Sequence, residues 1–91
     1  MRSVHVIVGG RVQGVGYRYS LRLEAERAGV AGWVRNRSDG SVEAVLEGTD
    51  AAVDDVLAWM AGGPPGAHVD GAQVTDVDSA AMRGFEVRDT L

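Results

Sequence analysis

The chain begins with a valine alternation that changes to a helical spacing after residue 16. The valines of Ser3–Val8 recur at every second position, which is the period of a strand with one buried face. From Tyr17 to Ala28 the apolar residues recur every three or four positions, as they do along one face of a helix. Gly29 follows and is suited to end that helix, because glycine readily adopts the left-handed conformation needed there. A strand followed by a helix is therefore predicted.

Both periods recur in the rest of the chain. The strand pattern returns in Val30–Asn36, in Ser41–Glu47, within Ala67–Val77, and at Phe85 and Val87. The Asp-Gly pair at 39–40 lies between the first two of these segments and favours a hairpin. Thr49 or Asp50 can cap a second helix, and the Gly-Gly-Pro-Pro run at 62–65 ends it.

The predicted order is strand, helix, strand, strand, helix, strand, with a small C-terminal addition, in one domain spanning residues 1–91. The economical packing is a ferredoxin-like α+β sandwich (βαββαβ), with two helices on one face of a four- to five-stranded antiparallel sheet. In this fold the first two strands run parallel, with the third between them. We therefore expect the loop at 10–18 to lie beside the end of the second strand at 35–37.

Composition excludes several functional classes. The net charge is −4, which disfavours a nucleic-acid partner, because domains that bind nucleic acids are usually basic. All nine basic residues are arginine, and cysteine is absent, so Schiff-base lysines, disulfides and thiolate metal sites are excluded. The first apolar run is too short for a signal peptide or a membrane span. We expect a cytoplasmic protein with no membrane partner.

The stretch GRVQGVGYR, Gly10–Arg18, has the composition of an anion-binding loop. It contains three glycines and no proline, so every backbone amide can donate a hydrogen bond, and it leads into a helix N-terminus. Arg18 adds a planar guanidinium that matches two phosphate oxygens. A phosphate dianion suits such a loop. From residue types alone, a plain tight turn with a solvated arginine stays open as an alternative.

Better-known phosphate loops do not fit this stretch. Val15 and Gly16 stand where a nucleoside-triphosphate loop needs lysine and serine or threonine. Tyr19 stands where a dinucleotide fingerprint needs its third glycine, and no cysteine is present for a thiolate phosphatase.

The same stretch resembles the first signature of the acylphosphatases. The segment GWVRNRSDGSVEAVLEG, Gly32–Gly48, resembles their second signature, and GPPGAHV and Phe85 match positions of small bacterial-type members. The resemblance covers nearly the whole chain. It implies the ferredoxin-like fold and hydrolysis of acyl phosphates to a carboxylate and inorganic phosphate. It also implies that neither a metal nor another cofactor is required.

The resemblance also implies roles for individual residues. Arg18 would grip the phosphate, and Asn36 would orient the attacking water. The phosphate cradle would be the backbone of Arg11, Val12, Gln13, Gly14, Val15, Gly16 and Tyr17. Tyr17 departs from the commoner phenylalanine, and Asp89 stands where many members carry an aromatic residue.

Two other functions stay open at this point. One is a non-catalytic module that binds phosphate or carbamoyl phosphate, similar to the acylphosphatase-like domain at the start of the hydrogenase-maturation proteins that use carbamoyl phosphate. The other is an RNA-binding ferredoxin-like domain, which the net charge and the lack of paired exposed aromatics disfavour. The expected partners are a small acyl phosphate and inorganic phosphate, and we expect a monomer.

Overall fold

All the predicted elements form, with bounds close to the predicted ones. The computed structural model describes residues 1–91. Its elements are β1 (Arg2–Arg11), α1 (Tyr17–Ala28), β2 (Ala31–Asn36), β3 (Val42–Gly48), α2 (Asp50–Gly62), β4 (His68–Asp76) and β5 (Phe85–Val87). The cap of α2 is Thr49, whose hydroxyl oxygen accepts a hydrogen bond from the Ala52 amide at 3.2 Å. The predicted ferredoxin-like fold is confirmed.

The five strands form one sheet in the order β4-β1-β3-β2-β5. β3 is antiparallel to both β1 and β2, so β1 and β2 run in the same direction and end at the same edge of the sheet. The alternating valines of β1 are buried between the sheet and the two helices, together with residues such as Leu21 and Leu46. This arrangement brings the loop between β1 and α1 beside the end of β2.

The prediction of a purely antiparallel sheet is wrong, because β5 is parallel to β2. β4 runs antiparallel to β1 and therefore ends at the edge where β1 and β2 begin. Residues 77–84 then pass along that edge from β4 on one side of the sheet to the other side, where β5 starts beside the beginning of β2. A strand that enters there has to run in the direction of β2, so the sheet is mixed.

Glu47 holds this crossover in place. Its side chain is buried and accepts hydrogen bonds from the Ser3 hydroxyl at 2.6 Å, the Ala80 amide at 2.9 Å and the Met82 amide at 2.8 Å. The hydroxyl of Ser3 and these two amides lower the pKa of Glu47 to about 2. The carboxylate at the end of β3 therefore fixes the segment that leads into β5.

We expect Glu47→Gln to destabilise the fold by about 2 kcal/mol, because hydrogen bonds to a charged acceptor are lost. The folded-state pKa of Glu47 lies below its ordinary value of 4.5. Its contribution is therefore fully present above pH 4.5 and is lost as the pH falls from 4.5 towards 2. Urea unfolding of both proteins between pH 7 and pH 2.5 measures the difference, which should shrink towards low pH.

The matched control is Glu86→Gln, which removes the same charge from an exposed position on β5. Its free energy of unfolding should differ little from that of the wild type. Equal stability of the Glu47 and Glu86 variants at pH 7 would contradict the anchoring role.

Candidate active site

The loop after β1, the first turn of α1 and the end of β2 enclose a pocket of about 180 Å³. It is lined by Val12, Gln13, Gly14, Gly16, Tyr17, Arg18, Tyr19 and Asn36. The juxtaposition expected from the topology is therefore observed. Arg18 and Asn36 lie in the same pocket although they are distant in sequence.

The loop presents backbone to this pocket. Gly14 and Gly16 carry no side chain and adopt left-handed conformations with φ of 76° and 77°, which residues with a Cβ seldom adopt. None of the backbone N–H groups of residues 13–16 donates a hydrogen bond to another backbone group. Gly16 is also the N-cap of α1 and supplies no side-chain cap, and no acidic residue lies in the first turn. Unpaired amides at the positive end of a helix dipole can bind an anion.

Arg18 contributes the only cationic side chain among the lining residues. It lies in the first turn of α1, and its Nη1 donates a hydrogen bond to the Arg88 carbonyl at 3.2 Å. A guanidinium has five N–H donors, so this contact orients the group and leaves others for an anion. Arg88 directly follows β5, and the sequence carries no signal for this contact, because the acceptor is a main-chain carbonyl.

Asn36 places an unpaired oxygen in the same pocket. Its Oδ1 is buried and has no hydrogen-bond partner in the protein. A buried polar atom without a partner lowers the stability of the folded state by about 1–3 kcal/mol. Stabilisation of the fold therefore does not explain why asparagine stands at position 36. Side chains alternate along a strand, and Asn36 therefore shares the helix-facing side of β2 with the buried Val34. The atom is free to bind a ligand or a water molecule.

Gln13 connects the loop to the turn after β2. Its Nε2 donates to the Arg37 carbonyl at 2.8 Å and to the Ser41 carbonyl at 2.9 Å. Sequence reasoning assigned only the backbone of this residue to the cradle and missed the side chain. The two bonds fix the loop relative to the turn that follows Asn36, so Gln13 sets the distance between the two halves of the site.

Several residues expected at the site lie outside the pocket lining. Arg11 is the last residue of β1 and pairs with His68 in the sheet, and Val15 packs against the core. Arg35 lies on the opposite face of the sheet from Asn36, where its Nε donates to Glu43 Oε1 at 2.7 Å. Arg37 contributes only the carbonyl that accepts from Gln13. The charge of the pocket therefore comes from Arg18.

Tyr17 is a buried residue of the pocket lining. Its ring is buried and packs against Trp59 with 5.4 Å between the centroids, and its hydroxyl donates to the Met60 carbonyl at 2.8 Å. Burial raises the pKa of Tyr17 above its ordinary value. The hydroxyl, which departs from the phenylalanine common in the resembling family, therefore bonds to α2 and joins the two helices.

The structure has neither a helix that could span a membrane nor a cluster of metal-ligating side chains. Neither helix has the length and apolar character needed to cross a lipid bilayer. No group of three or more histidine, aspartate or glutamate side chains comes together as metal ligands would.

Comparison with known proteins assigns the family. The family model described as Acylphosphatase matches residues 4–87. The chain is 53% identical over 88 residues to an acylphosphatase of Thiobacillus denitrificans, covering 97% of this chain and 98% of that protein. This chain belongs to the acylphosphatase family. Membership confirms the resemblance, and with it a hydrolase that acts on acyl phosphates.

The acylphosphatase fold is equally clear from solved structures. The crystal structure of the Bacillus subtilis acylphosphatase superposes with a TM-score of 0.93 at 38% identity, covering 97% of this chain and 99% of that one. The structure of T. kodakarensis HypF has a TM-score of 0.85 at 27% identity, and the match covers 97% of this chain and 12% of that one. The higher identity to acylphosphatases does not favour the non-catalytic alternative.

Proposed function

We propose that this chain hydrolyses the carboxyl–phosphate bond of acyl phosphates in the pocket described above. The amides of residues 13–16, within the expected cradle of residues 11–17, and the guanidinium of Arg18 bind the phosphoryl group, and Asn36 orients the attacking water. The observation that carries the proposal is the meeting of three sets of unpaired polar groups in one small pocket. These are the amides of residues 13–16, the remaining donors of Arg18, and Asn36 Oδ1.

The chemistry needs few protein groups. The water oxygen bonds to phosphorus as the bond between phosphorus and the bridging oxygen breaks, and that electron pair leaves with the carboxylate. The conjugate acid of this leaving group has a pKa of about 4, so no general acid has to protonate it. The transition state is loose and spreads charge over the phosphoryl oxygens, where preorganised amides and Arg18 stabilise it.

Asn36 supplies the orientation that the water requires. Its unpaired Oδ1 can accept a hydrogen bond from the water and hold it in line with the leaving oxygen. None of the lining residues is aspartate, glutamate or histidine. We assign the water proton to a phosphoryl oxygen of the substrate, which yields inorganic phosphate directly. A cytoplasmic monomer acting on small acyl phosphates is the form we propose.

The reaction is expected to proceed without a divalent metal, because the amides and Arg18 supply the positive charge that the phosphoryl oxygens need. Turnover of benzoyl phosphate should therefore be unchanged after dialysis against EDTA and in its presence. The measurement is the initial rate of hydrolysis with and without the chelator. An activity that disappears with EDTA and returns with Mg²⁺ would contradict the proposed mechanism.

A further inference from the structure

Two large apolar side chains of α1 are exposed beside the pocket. Tyr19 is 63% exposed and lines the pocket, and Leu23 is 68% exposed one helical turn further on. Residues four apart lie on the same face of a helix, so the two side chains form one apolar strip, here called the acyl shelf. The shelf begins at the pocket and leads away from it along α1.

The other apolar side chains of the pocket have no surface to offer a substrate. Val12 is 1% exposed and Tyr17 is 2% exposed, because both belong to the core. The glycines contribute backbone, and Gln13, Arg18 and Asn36 are polar. Tyr19 is therefore the one lining residue that presents exposed apolar surface where a substrate leaves the phosphate cradle.

We propose that the acyl shelf binds the acyl group of the substrate and favours acyl phosphates with aromatic or extended apolar acyl groups. The inference rests on the proposed function, since it assumes that the phosphoryl group occupies the cradle. With the phosphate held between the loop amides and Arg18, the acyl group has to leave through the mouth of the pocket. Tyr19 follows Arg18 directly, lines the pocket and is largely exposed, so it lies at the rim.

The contact of the acyl group with the shelf also depends on the length of the acyl group. Leu23 lies about 6 Å beyond Tyr19 along the helix, since each residue adds about 1.5 Å. A benzoyl group reaches the Tyr19 ring, and an acyl chain of eight carbons extends over Leu23 as well. An acetyl group is too short to cover either side chain.

The charged side chains near the shelf do not oppose the binding of an uncharged acyl group. Arg22, between the two shelf residues in sequence, is paired with Glu26 at 3.5 Å. The first turn of α1 contains no acidic residue. An apolar acyl group thus meets apolar surface on the shelf.

The test compares kcat/KM for acetyl, benzoyl and octanoyl phosphate in the wild type and four variants. In Tyr19→Ala the ratio of benzoyl to acetyl phosphate should fall roughly fivefold, which corresponds to about 40 Å² of apolar contact. Tyr19→Phe keeps the ring and should keep the ratio. In Leu23→Ala the ratio of octanoyl to benzoyl phosphate should fall roughly threefold, since only the longer chain reaches that residue.

The control is Val77→Ala, which shortens an exposed apolar side chain at the opposite edge of the sheet, where its amide donates to Ser3. All substrate ratios should stay at the wild-type values in this variant. Hydrolysis of all three substrates with unchanged ratios in Tyr19→Ala would overturn the shelf and leave the proposed function intact. Failure of the wild type to hydrolyse any of them would instead overturn the proposed function, and the shelf with it.

Discussion

Arg18→Gln is expected to lower kcat/KM for benzoyl phosphate on the order of 10³-fold, with a lower kcat and a higher KM. The guanidinium is the only cationic side chain of the pocket, and the substrate phosphate carries two negative charges. The same group binds the ground state and neutralises charge that develops on the phosphoryl oxygens. Loss of both interactions affects both constants. Steady-state kinetics at several substrate concentrations separates the two effects.

The matched control for Arg18 is Arg22→Gln. It removes the same charge from the same helix one turn further on, where Arg22 is exposed and paired with Glu26. Both constants should stay close to those of the wild type in this variant. If Arg18→Gln and Arg22→Gln had similar kinetics, Arg18 would be an ordinary surface arginine and the phosphate would bind elsewhere.

Asn36→Ala is expected to lower kcat by about 10²-fold with little change in KM, because Asn36 acts on the water and the cradle holds the phosphate. The structure adds a second expectation that concerns stability. The Oδ1 atom is buried without a partner, so its removal relieves a desolvation penalty. Thermal unfolding should therefore show a variant at least as stable as the wild type. A residue with a structural role would give the opposite change.

The comparison for Asn36 is Gln73→Ala, which truncates an exposed amide side chain on β4. This variant should keep the wild-type kcat. A normal kcat in Asn36→Ala would remove the water-orienting role, and a large loss of stability would assign Asn36 to the fold instead.

Much of the fold and site follows from local sequence patterns. The valine alternation predicts a strand with one buried face, and the helical spacing of Tyr17–Ala28 predicts a helix with one buried face. Both faces lie in the core. The glycine loop is predictable for a different local reason. Left-handed backbone at Gly14 and Gly16 favours glycine, which has no Cβ. The meeting of Arg18 and Asn36 then follows from the parallel direction of β1 and β2.

The features that sequence reasoning missed depend on contacts between distant segments. The direction of β5 is set by a crossover that Glu47 holds from another strand, and no local pattern records that. The partners of the Gln13 side chain and of the Arg18 guanidinium are main-chain carbonyls, which every residue has. Residue type therefore carried no information about them. The exposure of Tyr19 and Leu23 likewise required the position of α1 on the sheet.

The strand order has a consequence for how the protein acquires its activity. Of the four strand pairs in the sheet, only β2 with β3 joins neighbours in the chain, and the other three bring together segments separated by whole elements. Chains dominated by such non-local pairs fold slowly, because long loops must close before the pairs form. The loop after β1 meets Asn36 only once β1 has docked on β3. Recovery of catalysis during refolding should therefore coincide with completion of the sheet.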